Sequence, residues 1–285
     1  MIYISTSCVK HIRINESVQE LVDNGFYNIE LSGGTQRYEN FEDDLLELKE
    51  KYNLNYICHN YFPPPKKHLV LNLASLNNDI YTQTFEHLTT AIALSKKLGA
   101  KSFGFHAGFF LDLNVNEIGK AISKNKLFNS HDCINKFCKG FDELKIIAGS
   151  ELELYIENNV YSSSNSATYN NEKIFMLTHY QDYLELEKVI NFKLLLDVAH
   201  LKVSATTLDL NFESEMQKMV PKSDYIHISD NDGLHDLNNI LQENSALVRL
   251  LKKQDLSNKN FTLEIYEKME NIKKTHDILS EITND

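Results

Sequence analysis

At 285 residues, 42% hydrophobic and 24% charged, the chain has the make-up of a folded protein, with length for one large domain or two small ones. No run approaches the ~18 apolar residues of a membrane span, and the opening MIYISTSCVK lacks the basic start, apolar stretch and small-residue cleavage site of a secretory leader. Forty acidic against 29 basic residues leave a net charge of −11, which disfavours nucleic acid as a partner.

The first β-rich run is IYIST at 2–6. Val18, Leu21 and Val22 recur at helical spacing, and Gly25 stands where a helix needs a left-handed terminator before the next run, YNIEL at 27–31. NYICH (55–59) follows, then a stripe of Leu88, Ala91, Ile92, Ser95 and Leu98 closed by Gly99, then SFGFH (102–106). The clearest helix carries Ile134, Phe137, Cys138, Phe141, Leu144, Ile147 and Ala148 in steps of three and four. LELYIE (152–157) leads into the polar, repetitive NNVYSSSNSATYNN (158–171), read as a mobile lid or a solvated insertion. KLLLD (193–197), YIHIS (225–229) and FTLEI (261–265) complete eight runs.

These runs are continuously apolar, as for parallel strands buried on both faces. Eight of them alternating with helices predict a single (β/α)8 TIM barrel over residues 1–285. An open doubly wound sheet is the runner-up, and the glycine-rich nucleotide-binding motifs that often mark one are absent. Cys8, Cys58, Cys133 and Cys138 form no Cys-x-x-Cys pair and read as small core hydrophobes in a reducing, cytoplasmic protein.

In such a barrel the functional residues stand at the C-terminal strand ends. Those ends carry His59, His106, Glu157, Asp197 (with His200 three residues on), His227 (followed by Asp230 and Asp232) and Glu264. All are metal-ligand types. A lone histidine there is ordinarily a hydrogen-bonded structural residue. Six consecutive strands delivering such groups to one rim point to a divalent ion, and buried carboxylates such as Glu157 and Asp197 need a cation or strong donors. Mn, Co, Mg and Zn all tolerate this set.

The pattern resembles the xylose isomerase-like TIM barrels, a group of sugar phosphate isomerases and epimerases that also takes in endonuclease IV. The carriers are His-x-Tyr at 59–61, KKLGAKSFGFHAG (96–108), Ile156-Glu157-Asn158, LLLDVAH (194–200), HISDNDG (227–233) and Leu263-Glu264. The epimerase branch implies one ion held by Glu157, Asp197, His227 and Glu264, with Glu157 and Glu264 as acid/base pair and His200 touching substrate. The endonuclease IV branch implies that His59 and His106 join the metal core. Its third metal position would need an Asp-x-His, and this chain has Asp236-x-Asn238 instead.

The expected chemistry is metal-dependent isomerisation or epimerisation of a sugar or sugar phosphate by proton transfer through an enediolate. The first alternative is an endonuclease IV-like phosphodiesterase, opposed by the acidic balance and by having only Arg13, Arg37 and Arg249. The second is a non-catalytic metal- or sugar-binding barrel. Lys66, Lys202 and His200 are candidate substrate contacts, and the sequence leaves open whether copies associate into a homo-oligomer.

Overall fold

The computed structural model describes residues 1–65, 69–117 and 120–284. The eight predicted runs are all strands: β1 Ile2–Ser5, β2 Asn28–Leu31, β3 Asn55–His59, β4 Ser102–His106, β5 Glu153–Glu157, β6 Lys193–Asp197, β7 Tyr225–Ile228 and β8 Asn260–Leu263. Around them lie α1 Ile14–Asp23, α2 Phe41–Tyr52, α3 Asn78–Lys97, α4 Ser130–Ala148, α5 Ser163–Thr168, α6 Tyr180–Glu187, α7 Val198–Thr207, α8 Phe212–Met219, α9 Ala246–Leu251 and α10 Met269–Asn284. Each strand pairs in parallel with the next and β8 returns to β1, closing the barrel.

Local chemistry sets the helix ends. Asn77, Asn129 and Ser245 cap α3, α4 and α9 by accepting backbone N–H groups, satisfying donors that have no partner within the helix. Gly25 and Gly99 take φ of +90° and +71° where α1 and α3 turn back toward the barrel. The apolar faces pack outside the sheet: Val18, Leu21, Leu88, Phe137 and Phe141 join Ile4, Ile29, Phe103, Ile156 and Leu263 in one buried core. Cys8, Cys58 and Cys133 are buried, and all four cysteines are free thiols.

Alternate residues point into the barrel. Tyr3, Ile57, Tyr155, Leu195 and Tyr225 form a separate buried plug there. Strand register then raises the next inward residues as a staircase. His59 is level with Gly104, two residues below His106; His106 is level with Glu157, and Glu157 with Leu195. Asp197 stands two residues higher, level with His227, and His227 is level with Thr262, two residues below Glu264. This stagger accompanies the strand tilt of a closed barrel, and it carries the six strand-end residues around one rim.

The segment 158–171 is neither a loose lid nor a solvated insertion. It contains α5, and Tyr161 and Tyr169 pack with Leu111, Ile122, Ile174 and Phe175 in a second buried cluster above the barrel. Composition misled because Asn158, Asn159, Asn165 and Ser166 are buried with hydrogen-bond partners, while two tyrosines anchor the segment. Among the described residues, no helix is long and apolar enough to cross a membrane.

Candidate metal centre

Glu157 is the hub. At the end of β5 its side chain is only 1% exposed, and histidines from four other elements surround it. His59 Nε2 lies 2.7 Å from Oε2, and His106 Nδ1 lies 3.2 Å from the same oxygen. His227 Nδ1 and His200 Nδ1 lie 3.6 and 3.7 Å from Oε1. Burial would raise the Glu157 carboxyl, but His106, His59 and His227 outweigh it and hold the group well below the usual carboxylate range.

His227, from β7, is fully buried and links this hub to the last strand, with Nδ1 3.4 Å from Glu264 Oε2. Burial opposes a charged ring at His227, yet Glu30 and Glu264 raise its affinity for a proton well above the ordinary value. Glu264 in turn is held down to about 2, its burial being outweighed by His227. His106 behaves oppositely: burial pushes it down to about 4, leaving a neutral ring at pH 7.

Asp197 is almost fully buried. Its Oδ1 accepts the His200 backbone N–H at 2.8 Å, capping α7, and its Oδ2 lies 3.8 Å from His200 Nε2. Burial pushes its carboxyl up to about 7 despite the pull of His200. His200 is itself oriented by the Asn158 carbonyl, which accepts from Nδ1 at 2.9 Å, so Nε2 faces Asp236 Oδ2 at 3.3 Å.

The donor set fits a cation. Three buried atoms have no hydrogen-bond partner here, namely His106 Nδ1, Glu157 Oε1 and His227 Nδ1, and all three face the hub. Buried polar atoms are ordinarily satisfied, so a cluster of orphans marks a missing partner. Three groups bring ligand atoms within 4.8 Å of one another: His59, Glu157 and His227; His106, Glu157 and His200; and Glu30, His227 and Glu264. Asp197 is in none of these three groups: its Oδ1 is taken by the His200 backbone N–H and its Oδ2 faces His200 Nε2.

Other candidates stand apart. Lys202 donates to Asp230 Oδ1 at 2.6 Å and to the Asn231 carbonyl, so its ammonium and the Asp230 carboxylate brace the loop after β7 instead of serving a ligand. Asp232 is exposed and holds its own turn, accepting the Leu234 and His235 backbone N–H groups at 2.8 Å. Both acids lie beyond the strand end, where turn chemistry claims them. Lys66 lies outside the described residues.

The sequence matches the family described as xylose isomerase-like TIM barrel over residues 18–282. The chain belongs to that family. No curated protein matches it. Among solved structures, a D-tagatose 3-epimerase-like protein is 18% identical with a TM-score of 0.72, over 99% of this chain and 96% of that one. D-psicose 3-epimerase from Clostridium cellulolyticum, solved with D-tagatose, is 12% identical with a TM-score of 0.64, over 98% and 91% of the two chains. Endonuclease IV from Thermus thermophilus is 14% identical with a TM-score of 0.60, over 98% and 99%. At these identities the likeness is one of fold.

Two residues of this xylose isomerase-like barrel escape a reading of strand ends. Glu30 is completely buried within β2 and bonded to His227. Its signal is an acid inside the apolar run YNIEL, on the inward alternation. Asn158 follows Glu157, and its side chain bridges to the backbone of Asp197, receiving N–H at 2.7 Å and donating to the carbonyl at 3.0 Å. An asparagine beside an apolar strand gives no comparable signal.

Proposed function

We propose that the chain is a divalent-metal-dependent isomerase or epimerase of a sugar or sugar phosphate. One observation carries this reading: Glu157, at the end of β5, and Glu264, directly after β8, flank the same His227 nitrogen at 3.6 and 3.4 Å. Two carboxylates held low by their neighbours are ionised at neutral pH, the state from which a general base starts. Glu264, with 12% of its side chain exposed, opens toward the barrel mouth, while Glu157 is enclosed by histidines. A divalent ion held by Glu157, Asp197, His227 and Glu264 would polarise a substrate carbonyl and its neighbouring hydroxyl.

The residues then divide the work. One glutamate removes the proton from the carbon between these groups, and the resulting enediolate receives a proton at the adjacent carbon or on the opposite face. The first outcome isomerises and the second epimerises. His200, fixed by Asn158 and paired through Nε2 with Asp236, would meet a substrate hydroxyl together with that carboxylate. The sugar epimerases among the structural neighbours support this substrate class. The test is metal analysis of purified protein with a screen of sugars and sugar phosphates in deuterated water. Turnover with deuterium entering the substrate is expected, and turnover without it would remove the acid/base role of both glutamates.

A second reading rests on His59 and His106. Both approach Glu157 and would supply nitrogen ligands for a further ion, as an endonuclease IV-like phosphodiesterase requires. Against it, all three arginines are engaged: Arg13 over Tyr38, Arg37 over Phe41, and Arg249 on the Asn244 carbonyl. Zinc-dependent nicking of abasic DNA, abolished by Glu157→Gln, would place this reading first.

A further inference from the structure

Glu30 lies inside the barrel, with no surface of its own. Its Oε2 accepts from the Thr262 hydroxyl at 3.1 Å, from the Tyr225 hydroxyl and from His227 Nε2–H at 3.0 Å. The Ser32 hydroxyl donates to Oε1 at 3.3 Å. An ionised carboxylate only accepts, so this bond requires the His227 proton to be on Nε2. A neutral imidazole protonated there carries its lone pair on Nδ1. That nitrogen is the orphaned atom facing Glu157 and Glu264.

We propose that Glu30 is a positioning residue that holds His227 with Nε2 protonated and Nδ1 presented to the ion. The inference rests on the metal-dependent reading above and extends it one layer deeper into the barrel. A carboxylate behind a ligating imidazole fixes the ring and its tautomer and makes the facing nitrogen a stronger donor. The two hydroxyls on Oε2 hold Glu30 in turn: Tyr225 from the interior plug and Thr262 level with His227. The ligand is thus oriented by the packed floor of the barrel, away from the open side of the site where substrate would enter.

The test uses full-length wild type, Glu30→Gln and a Thr262→Val control, which removes one Glu30 donor and leaves the His227 bond. Zn2+ affinity is read by chelator competition, and the His227 ring protons by long-range ¹H–¹⁵N NMR, assigned with His227→Asn. Wild type should show a slowly exchanging, downfield Nε2 proton with or without zinc. In Glu30→Gln that proton should move upfield and exchange faster, and zinc affinity should fall about 10- to 100-fold. Thr262→Val should stay close to wild type in both. Should Glu30→Gln fail to fold, Glu30→Asp keeps the charge but withdraws it from Nε2, and the same losses are expected. Zinc binding by wild type with unchanged affinity in Glu30→Gln, or zinc-bound wild type with its His227 proton on Nδ1 and none on Nε2, overturns the inference and leaves the metal reading intact. A wild type that binds no divalent ion overturns the metal reading, and the role of Glu30 with it.

Discussion

The His59 imidazole and the Glu157 carboxylate meet at 2.7 Å across 98 residues of sequence, both almost fully buried. Burial opposes a charged His59, but Glu157 raises the ring's affinity for a proton above its ordinary value. His227 is raised further by Glu30 and Glu264. The metal-free centre therefore balances its carboxylates with protons, and a divalent cation must displace them.

Metal affinity should accordingly fall as pH drops through the neutral range, and binding at pH 7 should release protons. Both histidines have raised values, so the competing protons are present below them and lost above. Titration calorimetry in two buffers of different ionisation enthalpy checks this. Identical heats in the two buffers would refute it.

Replacing Glu157 or Glu264 with Gln keeps the side-chain shape and one ligating oxygen but removes the base. Turnover should fall by about 10²- to 10⁴-fold, and incorporation of solvent deuterium should fall with it. Glu157→Gln should also lose bound metal more completely, because its carboxylate is the one shared among the histidines. Retained deuterium exchange in both variants would rule out the proton-transfer assignment.

Gly104 leaves the space that His59 occupies. A Cβ there would come within 2.7 Å of Leu195 Cδ2 and 3.3 Å of His59 Cδ2. Gly104→Ala should destabilise the barrel by about 1–3 kcal/mol through overpacking and weaken metal binding by displacing His59. Thermal unfolding and chelator competition on one preparation would measure both. A variant of wild-type stability and affinity would show that Leu195 yields freely.

Asp182 should contribute to acid stability away from the site. It accepts the Thr178 backbone N–H at 2.9 Å and the Thr178 hydroxyl at 2.8 Å, and pairs with Lys173 at 2.6 Å. Burial would raise its carboxyl, but His179 and Lys173 outweigh it and hold the group below the usual range. Such a depressed group stabilises the fold above its unfolded value of about 3.9 and loses that contribution as pH falls toward its folded value. Asp182→Asn should lose about 1.5–3 kcal/mol at pH 7, with the gap to wild type narrowing below about pH 4. Urea unfolding across that range would show it, and a gap independent of pH would exclude the mechanism.

The barrel was legible because its strands are buried on both faces and read as unbroken apolar runs. Glu157, Asp197, His227 and Glu264 stood out as polar ends to those runs. Asp230 and Asp232 looked similar in sequence, but two and four residues past β7 the chain is turning, and they stabilise that turn, Asp230 with Lys202 from α7. Glu30 was hidden because it is a single acid inside the apolar run YNIEL, a position ordinarily read as core. The segment 158–171 misled because composition averages over residues, whereas packing depends on where Tyr161 and Tyr169 point.

That packed segment makes the rim lopsided. On the side of β4 and β5, loops share a buried aromatic cluster, so altering them disturbs folding. On the side of β7 and β8, Leu234, Leu237 and Tyr266 are about half exposed, and substitutions there remove little buried surface. On the proposed function, new substrate preferences can accumulate along one arc of the mouth while the other preserves the scaffold, and a library aimed at changing selectivity belongs at Leu234, Leu237 and Tyr266.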